Sequence, residues 1–117
     1  MTTLICYPKC STCRKAEQYL KELGVSYVYR DIQKENPSKE ELKAWQKASG
    51  LPLKRFFNTS GMKYRELDLK NRIPDMSEEE QFDLLASDGL LVKRPLLLHD
   101  GTVLVGFREK EYGDLFR

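Results

Sequence analysis

Apolar positions change their period several times along the chain, and each change marks an element. Leu4, Ile5, Cys6 and Tyr7 form the short apolar run of a buried strand. From Ser11 the pattern becomes helical, with Ala16, Tyr19, Leu20 and Leu23 on one face, until Gly24 stops it. Ser26 to Ile32 (Ser-Tyr-Val-Tyr-Arg-Asp-Ile) then alternates as a second strand. This β-α-β opening predicts parallel strands joined by a right-handed crossover.

The middle of the chain reads as helical. Ser38 and Glu41 match a capping box, Leu42 and Trp45 face inward, and Gly50 supplies the C-terminal stop. A second box, Ser77 with Glu80, opens a helix that carries Phe82 and Leu85 and closes at Asp88-Gly89. Its Glu78-Glu79-Glu80 run is the solvated first turn. Between the two helices, Leu53 to Phe57 predicts a short helical turn, and Asn58-Thr59-Ser60-Gly61 carries turn chemistry. Strand character returns in Pro95 to His99 and Thr102 to Val105, which flank Asp100-Gly101 as a hairpin flanks its turn. After Gly106, a final helix places Tyr112, Leu115 and Phe116 on one face. The order predicts an α/β fold: β-α-β, a helical insertion at about 36–92, then β-β-α on a mixed sheet, all within a single domain over 1–117.

Length and composition narrow the function classes. A chain of 117 residues fits one domain that buries about two-thirds of its unfolded surface. No apolar run approaches the roughly 18 residues a membrane span requires. Met1-Thr2-Thr3 lacks the basic start of a secretion signal, so the expected compartment is the cytoplasm, away from any membrane. Twenty Lys and Arg against 18 Asp and Glu leave a net charge of +2, which disfavours direct nucleic-acid binding. Three cysteines, an odd number, do not read as a disulfide framework.

The chemistry lies in Cys10-Ser11-Thr12-Cys13, a C-x-x-C pair at the junction of the first strand and first helix. Unpaired N–H groups and the positive end of the helix dipole favour a thiolate at the first cysteine, which makes Cys10 the candidate nucleophile. Cys13, one helical turn on, is the candidate resolving thiol. A bridge closing so short a loop removes little unfolded-chain entropy, so it fits a reversible redox device better than a structural staple. Zinc lacks a ligand set, because one histidine and the distant Cys6 are all that remain. Cys6 reads as a small buried hydrophobe and His99 as a surface residue beside the hairpin turn.

Tyr7-Pro8-Lys9-Cys10-Ser11-Thr12-Cys13-Arg14-Lys15-Ala16, with Lys93-Arg94-Pro95-Leu96 and the order of elements, resembles the arsenate-reductase-like branch of the thioredoxin fold. That family includes the Spx class of transcription regulators. The similarity runs from about Leu4 to Phe116 and includes Leu53-Lys54-Arg55-Phe56-Phe57-Asn58-Thr59, which is similar to the family's arginine-bearing segment. The resemblance implies a cis Arg94–Pro95 bond that turns Arg94 toward the cysteine loop, where it favours the thiolate and holds an oxyanion. It implies Arg55 as a companion for substrate binding. The family's third oxyanion arginine falls where this chain has Gly106-Phe107, with Arg108 one position on. The implied activity is a thiol-dependent reductase without a bound cofactor, regenerated by thioredoxin or by glutathione with a glutaredoxin. The alternative implied is an Spx-like redox-sensing regulator that binds RNA polymerase.

Overall fold

Alternation along the first strand sets the layers of the molecule. In β1 (Thr2–Cys6), Leu4 and Cys6 point to one face of the sheet and Ile5 to the other. The computed structural model describes residues 1–117. Against the Leu4 and Cys6 face packs α1 (Ser11–Glu22), through the buried stripe Cys13, Ala16 and Leu20. The chain then forms β2 (Val28–Asp31), parallel to β1. This strand is shorter than the alternation from Ser26 predicts, and as an edge strand it leaves Val28 47% and Tyr29 38% exposed.

The insertion covers the opposite face. Helix α2 (Lys39–Ser49) starts at the Ser38–Glu41 capping box and stops at Gly50, whose φ of 68° is left-handed. Leu53–Phe56 forms the expected short 3-10 turn. Two short helices follow that the hydrophobic pattern does not predict, α3 (Met62–Glu66) and α4 (Leu69–Arg72), hinged at Asp68 with φ 52°. Each is too short to show a period, and only Leu69 among their residues is fully buried. Helix α5 (Glu78–Ser87) begins at the Ser77–Glu80 box. Gly89 after it is more than a helix stop, because a Cβ there would collide with the Ile32 carbonyl oxygen. The chain passes that close to the end of β2.

The strands β3 (Leu96–His99) and β4 (Thr102–Val105) form the hairpin, with positive φ at both Asp100 (45°) and Gly101 (87°), as the tight turn requires. β3 pairs antiparallel with β1, giving a mixed sheet of order β2-β1-β3-β4. The last helix, α6 (Glu109–Phe116), lies beside α1 and seals that layer with Tyr112, whose hydroxyl donates to the Gly106 carbonyl at 3.2 Å. This is a thioredoxin-like α/β fold with the predicted element order. None of the helices is long and apolar enough to cross a membrane.

Arg30 on the edge strand ties the sheet to the insertion. Its guanidinium donates to both oxygens of Glu41 at 2.7 and 2.9 Å and lies 5.5 Å from the centre of the Trp45 ring. Glu41 also accepts from the Ser38 backbone N–H at 3.0 Å. The Arg30 guanidinium, followed by the Ser38 N–H, holds the Glu41 carboxyl down at about 2. A depressed carboxyl contributes stability above its unfolded pKa and loses that contribution as pH falls toward the folded value. Glu41→Gln is therefore expected to lower stability at pH 7 by about 1 kcal/mol, allowing for its partial exposure. Denaturant titrations of both proteins should show the gap narrowing as pH falls from about 4.5 to about 2.

Candidate active site

The apolar β1 strand ends at Cys6, and the turn that follows delivers Cys10 to the N-terminus of α1. The Cys10 N–H donates to the Tyr7 carbonyl at 3.0 Å, closing the loop. Cys10 is the N-cap residue in an extended conformation, and its Sγ accepts the Cys13 N–H at 3.4 Å. Sulfur thus takes the place of the oxygen that usually caps a helix. The first turn contains no acidic side chain, so no carboxylate competes for the positive end of the helix.

Exposure differs sharply between the paired cysteines. Cys10 is half-buried, whereas Cys13 is 1% exposed and lies behind it. The Cys13 thiol is held down at about 7. The largest cause is the neighbouring Cys6 thiol; burial opposes it, and the Tyr7 backbone, Cys10 and the Arg94 charge add smaller lowering effects. Cys6 is pushed the other way, first by Cys13 and then by burial. The third cysteine is buried, as its sequence setting predicts, but it also lies against Cys13. Strand and helix parity hold the clue: Cys6 shares the face of Leu4, and Cys13 heads the inward stripe of the covering helix.

Arg94 reaches this loop from the other end of the chain. The Arg94–Pro95 bond is cis. The guanidinium lies 5.2 Å from the centre of the Tyr7 ring and donates to the Leu90 carbonyl at 3.0 Å. It pairs with no carboxylate, which leaves its charge available to the cysteine loop.

Arg55 stands close by in the backbone. Phe57 bridges Val92 in antiparallel fashion, so Arg55 and Arg94, each two residues from that bridge, fall on the same side of it. Its exposed side chain lines a cavity of about 360 Å3 with Lys54, Phe57, Tyr64 and Lys70, a cavity that neither cysteine enters. The structure therefore sets Arg94 against Tyr7 of the cysteine loop, with its charge acting on Cys13, and leaves Arg55 at the border. Phe107, at the position of the expected third arginine, is walled in by aromatic edges at 5.8 Å from Tyr19 and 4.9 Å from Tyr112. Arg108 next to it is the exposed N-cap of α6.

The model of the ArsC family matches residues 6–115, nearly the whole chain and all three cysteines with both arginines. The chain belongs to the ArsC family. Among its relatives is the uncharacterized protein YusI of Bacillus subtilis, 56% identical over 110 residues, covering 94% of this chain and 93% of that one. A crystal structure of a putative ArsC family related protein from Bacteroides fragilis superposes with a TM-score of 0.94 at 53% identity, covering 97% of this chain and 96% of the other. The global transcriptional regulator Spx of Staphylococcus epidermidis is 28% identical over 111 residues, covering 95% of this chain and 83% of the regulator. The chain is thus arsenate-reductase-like in family and fold, with Spx regulators among its relatives.

Two outcomes are expected from this geometry. Mild oxidation should give one intramolecular Cys10–Cys13 disulfide with Cys6 left as a thiol, and peptide mapping that finds Cys6 in the major bridge would contradict the assignment. Replacing Arg94 with alanine should move the Cys13 titration to higher pH, because a cation that favours the thiolate is lost. A pH series of thiol alkylation checks the direction.

Proposed function

We propose that this protein is a thiol-dependent oxidoreductase acting on disulfides, with Cys10 as nucleophile, Cys13 as resolving thiol and Arg94 as the cation that steadies the site. The observation that carries this reading is the half-buried Cys10 sulfur capping α1, with Cys13 shielded 3.4 Å behind it at its N–H. In the first step the Cys10 thiolate attacks one sulfur of the substrate disulfide, forming a mixed disulfide and expelling a thiolate. The Cys13 thiolate then attacks Cys10 Sγ, breaking the mixed bond and releasing the second thiol. Two electrons pass to the substrate and the chain ends as a Cys10–Cys13 disulfide. An external dithiol, thioredoxin or glutathione with a glutaredoxin, restores the thiols; no bound cofactor takes part. The reaction belongs in the cytoplasm, where such reductants are kept reduced.

Phe107 supports a disulfide over arsenate as substrate. A polyanion is held by several charge-assisted hydrogen bonds, each worth about 1.5–3 kcal/mol, and an aromatic edge supplies none. Arg55 remains a companion for an anionic substrate, at the border of the site.

The likeness to Spx favours one second reading, a redox-sensing regulator that binds RNA polymerase and uses the same pair as a switch. It would act without direct nucleic-acid contact, in keeping with a net charge of only +2.

The deciding experiment runs disulfide exchange and arsenate reduction side by side, with thioredoxin or glutaredoxin as reductant. Exchange should be clear in the native chain and fall about a hundredfold or more in Cys10→Ser, as loss of a nucleophile requires. Arsenite production should be weak and should rise in Phe107→Arg. Robust arsenate turnover by the native chain would overturn the substrate class. Absence of all exchange, with retention of RNA polymerase, would favour the regulator.

A further inference from the structure

Cys6 is the one thiol the proposed reaction leaves unused, and its position is specific. It ends β1 with its side chain turned to the face that α1 covers, where Cys13 heads the inward stripe of the helix. Both are essentially excluded from solvent, at 0% and 1% exposure, among Leu4, Ala16, Leu20, Leu97 and Tyr112. In a pocket of aliphatic and aromatic carbon, the polar neighbour of each thiol is chiefly the other.

Resolution demands that Cys13 carry negative charge in that pocket, and burial opposes charge. A hydrogen-bond donor directed at the sulfur offsets the cost, and a thiol that keeps its own proton is such a donor. The Tyr7 backbone and Cys10 add smaller lowering effects on Cys13 and do not replace it. Helix α1 contributes Cys10 and Glu17, and the Glu17 carboxylate, bonded to the Tyr27 hydroxyl at 2.7 Å, works against a second charge at Cys6. Tyr27 and Tyr29 from the β2 side, and Tyr112 with Glu111 from α6, also surround the pair; all three phenols are pushed up and stay neutral near pH 7. Arg94 adds a cation whose charge favours the Cys13 thiolate from outside.

We propose that Cys6 is a positioning residue for the resolving step, its buried thiol donating to the Cys13 sulfur and fixing it behind Cys10. The inference rests on the disulfide-exchange reading for its role, and on the buried pair itself for its existence. During resolution the Cys13 thiolate forms a bond to Cys10 Sγ, the bond between Cys10 and the substrate sulfur breaks, and the departing thiolate takes a proton from solvent. Cys6 keeps its hydrogen throughout and loses only its acceptor. The two thiols titrate as a pair, with the first proton leaving Cys13.

The test uses the full chain and dithionitrobenzoate, whose two thionitrobenzoate groups leave in separate phases. The first phase reports attack by Cys10 and the second reports resolution by Cys13. In the native chain the second phase should rise with a midpoint near pH 7. Cys6→Ala and the volume-keeping Cys6→Val should both move that midpoint up by about one pH unit, slowing resolution at pH 7 about fivefold. Cys6→Ser, which keeps a donor, should recover most of the loss. A second-phase midpoint unchanged in the alanine and valine variants, or serine behaving like alanine, would overturn the proposal. If the native chain shows no first phase, the disulfide-exchange reading fails instead. The pair is then judged by the Cβ chemical shift of Cys13 titrated in the native chain and in Cys6→Ser, Cys6→Ala and Cys6→Val, with the same order of midpoints expected.

Discussion

A helix whose first turn is capped by sulfur is the constraint on which the rest of this site depends. The Cys10 Sγ satisfies the Cys13 N–H, so the proposed nucleophile is fixed by the same hydrogen bond that starts α1. The cap sits beyond the end of a central strand because the apolar β1 leads, through one turn, into it. The inward stripe of the helix then places Cys13 under cover and against Cys6. One local choice, cysteine where serine or aspartate usually stands, exposes one thiol and hides the next.

The distant parts of the chain supply charge and closure. The hairpin of β3 and β4 follows the cis Arg94–Pro95 step, and Arg94 there lays an unpaired guanidinium on Tyr7. The Phe57–Val92 bridge stitches the insertion to the same segment, so Arg55 and Arg94 belong to one backbone neighbourhood. Phe107 instead packs its ring between Tyr19 and Tyr112, against the cluster that holds Cys6 and Cys13. The result keeps the cysteine pair at the helix start, with the Arg94 guanidinium on Tyr7 beside it and Phe107 held among aromatic rings. That is the physical ground for expecting a disulfide partner rather than a small polyanion.

Features written in local chemistry are legible in the amino-acid sequence itself. The boxes Ser38–Glu41 and Ser77–Glu80 fix two helix starts, Asp100-Gly101 fixes a hairpin, and the C-x-x-C pair after an apolar run fixes the active helix. Helices α3 and α4 are not legible there, since four or five residues cannot display a helical period. β2 is shorter than its alternation because an edge strand is paired on one side only. Arg94 beside the cysteines is a tertiary fact, and family resemblance is what reaches it from sequence. The Cys6–Cys13 pairing depends on the stacking of a strand on a helix; the parity of both elements contains it, but neither motif announces it.

On the proposed reaction, Cys10 captures a substrate sulfur and Cys13 alone releases it. The most direct test is intact-mass measurement of the native chain and of Cys13→Ser after brief exposure to glutathione disulfide, with the modified cysteine mapped. The account predicts a persistent Cys10–glutathione adduct in Cys13→Ser and a transient one in the native chain, replaced by the Cys10–Cys13 disulfide. An adduct on another cysteine, or equal lifetimes in both proteins, would contradict it.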